Sequence, residues 1–253
     1  KEAAIGIILF SIFIYFGLTN MPWLPLILIY GLIGFKIGGL KLSITIIASF
    51  LFITFTGVLP QALLSIYLCG IAVIISFILG ASLGIWAAHN DKVSAFMRPI
   101  NDTMQTMPSF VILIPFVMFF GIGEFTALLA IIAYAFVPAM RYTEHGLRNL
   151  PETVIEAARM IGCSQTQLLW KVKIPLAMPV IMLGLNQTIM FGLAMLVIAA
   201  LVGTTGLGQL IYIGLSKADF GTGMISGVSI ALIAIIFDRT TQAWRIKLEK
   251  KTQ

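Results

Sequence analysis

Few residues in this chain have both the type and the spacing for covalent chemistry. No carboxylate pair and no nucleophile–base set stands at catalytic spacing. His89 and His145 fall in separate polar segments without ligand spacing, so no metal site is expected. The nearest approach to a phosphate loop is GFKIGGLK, where Leu40 stands in the position that needs lysine. Gly203-Thr204-Thr205-Gly206-Leu207-Gly208 does not open a strand–helix unit, as a dinucleotide fingerprint must. The chain is therefore expected to be no enzyme and to bind no cofactor itself. The remaining candidates act without covalent steps. Asn186 and Gln187 sit halfway along an apolar run, with Thr188 and Met190 beside them. They suit either a hydrogen bond to a neighbouring helix or a polar lining for a solute path. Trp86 and Tyr134 could face a cation, although aromatic residues near span ends more often form an interface belt.

The elements that must position these residues are mostly membrane helices. Of 253 residues, 59% are hydrophobic and 10% charged, whereas soluble domains run near 45–50% and 25%. Long runs poor in charge imply helices rather than the alternating strands of a barrel. Apolar runs near 3–19, 22–35, 41–59, 62–88, 108–121, 124–140, 176–202 and 224–238 predict an all-α integral membrane protein of about seven to eight spans. The first run has no cleavage pattern and is read as a retained span. Cys69 and Cys163 fall in different settings, and no disulfide is expected.

Charge sets the sidedness. With the C-terminus cytoplasmic, alternation places the segments near 36–41, 89–107 and 141–175 on the same side, and these together with the two chain ends hold every Lys and Arg except Lys217. The net charge of +6 thus reports orientation rather than nucleic-acid binding. Asp238-Arg239 is placed at the cytoplasmic end of the last span, as a local ion pair or a partner contact, and Arg141 as an interfacial anchor. Glu124 falls at an external turn and is expected to be solvated. Gly203, Gly206 and Gly208 are external too, in a gating or docking segment or a plain flexible loop.

The cytoplasmic stretch PETVIEAARMIGCSQTQLLWKVKIPLAMP (151–179) is unlike the rest. Pro151 suits a first helical position, and Glu152 favours the positive end of the helix dipole. Gly162 suits a left-handed stop, and Ser164 with Gln167 makes a capping box for a second helix. Val154, Ala158 and Ile161 share one stripe, and Glu152, Glu156 and Arg159 another. An interfacial helix would carry a more basic face with bulkier anchors. Two acids and small Ala157 and Ala158 suit a rigid peg for a partner's groove.

Glu156-Ala157-Ala158, three residues, Gly162, nine residues, then Val172-x-Ile174-Pro175 resembles the EAA loop of permease subunits in bacterial binding-protein-dependent ABC importers. That family's pattern ends I-x-L-P, so Val172 and Ile174 are conservative departures. The segments 87–123, LNQTIM (185–190), VIAALVGTTGLGQ (197–209) and AIIFDRTTQ (234–242) are similar to the glycine betaine/choline branch, and the likeness covers nearly all of 59–242. Residues 1–58 match only in hydrophobic character.

The resemblance implies a type I ABC importer transmembrane domain: accessory spans over 1–58, a permease core over 59–242 with its coupling loop at 142–175, and a cytoplasmic tail over 243–253. It implies coupling to an ATPase through Glu156, Ala157, Ala158, Arg159 and Gly162. Asn186, Gln187 and Met190 would lie along the translocation path. Implied partners are a second permease copy, two ATP-binding subunits carrying the ATP and magnesium, an extracytoplasmic substrate-binding protein and the bilayer of a bacterial inner membrane. The solute would be glycine betaine, choline or a related methylated osmolyte. The alternatives are a permease for another small solute (an amino acid or trimethylamine N-oxide), an ion-gradient carrier or a membrane scaffold. A carrier would show mid-span acids or repeats, and neither is evident.

Overall fold

The computed structural model describes residues 22–252, with side chains through 248; the expected span at 3–19 lies outside them. Every regular element among the described residues is a helix. The first, α1 (Trp23–Phe55), is broken at Gly39, whose φ of +77° and ψ of −166° leave the helical region. The chain doubles back there. Ser43 Oγ donates to the Gly31 carbonyl at 2.9 Å, a pair that a straight helix would hold about 18 Å apart. A Cβ on Gly31 or Gly34 would strike the Ile47 or Ile46 side chain, so glycine lets the two arms lie together. The runs at 22–35 and 41–59 are thus two arms of one hairpin, each roughly 24 Å long by residue count.

Three helices form the centre: α2 (Leu59–His89), α5 (Glu124–Arg148) and α7 (Gln165–Val202). Their seams are made of small residues. A Cβ on Gly80 would stand 2.5 Å from the Phe136 carbonyl oxygen, and one on Gly84 would stand 2.6 Å from that of Met140. This Gly-x-x-x-Gly step brings α2 and α5 into backbone contact, the close approach by which helices associate in lipid. On the other side of α5, Gly146 faces Val180, and Gly184 faces Tyr142. Ala72, Ala127, Ala130, Ile131, Leu193 and Leu196 fill the buried interior. Outward-facing Leu32, Ile78, Phe119 and Phe220 stay exposed, as lipid contact requires.

The segment 89–107, expected as a loop, is the amphipathic helix α3 (Asp91–Thr106), capped by the Asn90 side chain on the Lys92 N–H at 3.0 Å. A single 19-residue hydropathy window cannot see it, because its polar face cancels its apolar one. α4 (Ser109–Phe120) follows at an angle of 103°. The bend falls at Met107, held extended (ψ 131°) by the Pro108 that follows it. Then come α6 (Glu152–Met160), α8 (Leu207–Ser216) and α9 (Phe220–Thr252). By length and composition, five described helices can cross a membrane, or six if the bent pair is one span. That count takes α1 as one helix by length although it doubles back into two arms, whereas the expected seven to eight took the arms as two runs and included 3–19, which lies outside the described residues. Both cysteines are free.

Candidate coupling helix and polar interior

The α6 peg is fixed at both ends by backbone chemistry. Pro151 is the residue before the helix rather than its first turn: its ψ of 124° is extended, and its carbonyl accepts the Val154 N–H at 3.2 Å. The far end is a Schellman stop. Gly162 takes φ +85°, its N–H donates to Arg159 O at 2.9 Å, and the Cys163 N–H donates to Ala158 O at 3.2 Å. The Ser164–Gln167 capping box forms in both directions, at 3.3 and 3.0 Å. It starts α7, whose first turns relax into a π-helix over Leu168–Lys173 before the membrane segment begins.

The burial of α6 differs from the expected stripe. Ala158 is buried and Ile155 half-buried, beside buried Leu168, while Val154 and Ile161 are exposed. The i, i+3 pair facing the chain is therefore Ile155–Ala158, because the Gly162 stop turns Ile161 outward. Glu156, Ala157, Arg159 and Gly162 are all exposed, and Met160 and Ile161 are 90% and 84% exposed. The outward face thus combines an acid, a base, a small alanine and two uncovered apolar side chains.

Between α3 and the C-terminal end of α5, charges interlock. Arg141 pairs with Asp102 and donates to Gln105, and Arg148 bridges Asp91 at 2.8 Å and Glu144 at 3.0 Å while donating to the Ala87 carbonyl. Ser94 Oγ donates to Glu144 at 2.6 Å. Arg141, expected as an interfacial anchor, clamps α3 to α5 through these bonds. The (i, i+4) pair Glu144–Arg148 was visible in the sequence as a local signal, but its distant partners were not.

Within the helical bundle, Asn186 is committed to a network. Its Nδ2 donates to Asp238 Oδ1 at 2.9 Å, and its Oδ1 accepts the Thr241 hydroxyl at 2.5 Å. Gln242 donates to both Asp238 oxygens at 2.8 Å. Asp238 thus turns away from Arg239, and the expected local ion pair is absent among the described ion pairs. Gln187 and Met190 are half-buried one turn apart. Beside them on α7, Phe191 stacks on Tyr134 of α5 with ring centres 5.0 Å apart.

The Gly203–Gly208 loop is held at several points. Gly203 (φ +80°) ends α7, and Gly206 (φ +118°) lies against Ser65, whose Oγ accepts the Leu207 N–H at 2.8 Å. Thr205 donates to the Glu124 carboxylate, so that acid has a protein partner. A Cβ on Gly208 would stand 3.0 Å from the Leu196 carbonyl oxygen. Among the described residues no group of three or more His, Cys, Asp or Glu could hold a metal ion.

Residues 80–244 match the family described as the binding-protein-dependent transport system inner membrane component. The chain belongs to this family. Members similar to it include the Escherichia coli glycine betaine/proline betaine permease protein ProW, 40% identical over 89% of this chain and 64% of that one. The Bacillus subtilis glycine betaine permease protein OpuAB is 37% identical over 94% of this chain and 83% of its own. The Pelagibacter ubique trimethylamine N-oxide permease protein TmoV is 42% identical over 89% of this chain but 31% of its own. The chain thus spans less than two thirds of some relatives' length. Among solved structures, an inward-facing MetNI methionine ABC transporter superposes with a TM-score of 0.66 at 18% identity, covering 76% of this chain and 95% of that one. The type I importer permease fold expected from the EAA-like stretch is the observed one.

Proposed function

We propose that this chain is the translocating subunit of an ABC importer that takes up glycine betaine or a related methylated, dipolar osmolyte. ATP and magnesium reside on separate ATPase chains, two of which flank a pair of permeases fed by a binding protein. The observation that carries this reading is α6: a helix locked at both ends, joined to α5 and α7, with Glu156, Ala157, Arg159, Met160 and Ile161 uncovered. A helix so short gains little from its own hydrogen bonds. Its uncovered apolar tip suits a protein groove.

In this mechanism closure of the ATPases pushes α6, and α5 and α7 carry the displacement into the bundle. Gly162 sets where the peg ends, and Ala157 leaves room for close approach. Gln187 and Met190 are the path-facing candidates on α7. Asn186 is assigned to holding α7 against α9, since its amide is already engaged. The Gly203–Gly208 loop is a docking surface fixed by Ser65 and Glu124. The placement of Lys and Arg supports a cytoplasmic α6 and C-terminus. Residues 1–58 are accessory, 59–242 the core and 243–253 a tail.

The solutes named for the relatives share a methylated nitrogen and a nearby anionic oxygen. A weakly polar path suits such a dipole better than a charged one, because a permease fed by a binding protein needs passage rather than retention. The deciding experiment is uptake of labelled glycine betaine into proteoliposomes holding this chain, its ATPase and its binding protein, with choline, carnitine and trimethylamine N-oxide as competitors. ATP-dependent uptake is expected. Uptake driven by a sodium or proton gradient without ATP would replace the importer by a carrier.

A further inference from the structure

A cleft of about 540 Å³ opens between the turn of the α1 hairpin and the C-terminal half of α9. Two facing stripes line it. Gly38, Lys41, Leu42 and Thr45 come from α1, and Ile235, Arg239, Gln242, Ala243 and Ile246 from α9. Lys41, Leu42 and Thr45 on the second arm of the hairpin, and the five residues of α9, each follow helical spacing and present one face, with Gly38 closing the cleft from the turn. The elements are held in place around it. Lys247 donates its ammonium to the Lys36 carbonyl, and a Cβ on Gly38 would stand 3.2 Å from Ala243 Cβ.

The charge in this cleft is one-sided. Lys41 and Arg239 are exposed, one on each wall, and neither has an ion-pair partner among the described residues. No carboxylate lines the cleft. The nearest acid in sequence, Asp238, is engaged by Asn186 and Gln242. The depth is informative too. Arg239 stands where the apolar run of α9 gives way to its basic end, and the Lys36–Lys41 turn lies at that same level. A change from an apolar run to a basic end marks a membrane boundary by composition, whichever side it faces. Leu42, Ile235 and Ile246 add apolar surface to the same cleft.

We infer that the cleft binds the phosphate of an anionic phospholipid, with Lys41 and Arg239 on the headgroup and one acyl chain along Leu42, Ile235 and Ile246. Basic pockets between helices at a bilayer surface take such headgroups. A free phosphate would use the two cations but gain nothing from the apolar walls. The lipid would tie the hairpin to α9, two elements joined here by few polar contacts.

The test is thermal unfolding of the purified chain in a neutral detergent, titrated with dioctanoyl phosphatidylglycerol, dioctanoyl phosphatidylcholine or inorganic phosphate. Phosphatidylglycerol is expected to raise the Tm saturably, and the other two are not. Lys41→Gln with Arg239→Gln is expected to weaken that titration about thirtyfold, since each surface charge is worth roughly a factor of five. Lys41→Arg with Arg239→Lys is expected to restore it. Equal effects of the two lipids on the unaltered chain would overturn the site, and this comparison does not depend on any variant folding. An equal effect of phosphate would overturn the lipid assignment, and an undiminished titration in the double glutamine variant would overturn the residues.

Discussion

Replacing Gly162 tests the coupling proposal at its most specific point. At φ +85° the backbone is left-handed, and an added Cβ would meet nothing within 4 Å. Any effect of Gly162→Ala is therefore conformational rather than steric. A left-handed residue that carries a Cβ costs roughly 1–2 kcal/mol, which multiplies competing conformations about 5–30-fold. The bonds at risk are Gly162 N–H to Arg159 O and Cys163 N–H to Ala158 O, which end α6 and aim the short turn leading to Ser164. Asparagine tolerates the left-handed region better than alanine, so Gly162→Asn should fall between. The assay is solute transported per ATP hydrolysed in proteoliposomes, with permease abundance held equal by immunoblot. Alanine is expected to lower that ratio severalfold and asparagine by less. Equal ratios in all three proteins, or equal damage by both substitutions, would refute the argument.

Gly80→Ala should destabilise the chain by about 1–3 kcal/mol, because the new Cβ would meet the Phe136 carbonyl at 2.5 Å. Gly70→Ala on the same helix, with nothing within 4 Å, should be neutral or better in the same thermal melts. Asn186→Leu strips a donor from Asp238 and an acceptor from Thr241. A stability loss of about 1–2 kcal/mol is expected in the same melts, with a double-mutant cycle against Thr241→Val showing coupling above about 0.5 kcal/mol. Asp219 caps α9 by accepting from the Thr222 N–H and hydroxyl, and the side-chain bond to Thr222 foremost holds its carboxyl below the usual value. A lowered folded value means the stabilisation is present above the ordinary carboxylate range and is lost as pH falls through the folded one. The gap between unaltered and Asp219→Asn melts should therefore shrink on acidification below about pH 4.

Local signals were legible in the sequence, and pairings across the chain were not. Gly162, Ser164 and Gln167 announce the ends of α6 and the start of α7 because caps act within a few residues. The apolar runs reveal α2, α5, α7 and α9 because length and composition suffice for a membrane helix. α3 and α8 went unseen: one is half polar and the other only ten residues long. Asn186 was legible as an oddity, yet its partner lies 52 residues away and no spacing rule joins them. Val154 and Ile161 share a stripe with Ala158 by periodicity, but burial follows where the helix is anchored. The break at Gly39 was hidden for a similar reason, since two short apolar runs and one broken run have the same hydropathy.

The π-turn at Leu168–Lys173 has a mechanical consequence. Just beyond it, α5 and α7 touch through Gly146 and Val180, so α6 closes a small ring whose other members are stiff. Such a ring has no slack, and a load at its tip must gear both helices at once. The wide turn is the one place in α7 where the winding departs from 3.6 residues per turn before the membrane. It sets the phase between the peg and everything downstream on a helix about 57 Å long. Removing one residue there would leave every cap intact and still rotate Gln187 and Met190 by about 100° relative to the peg.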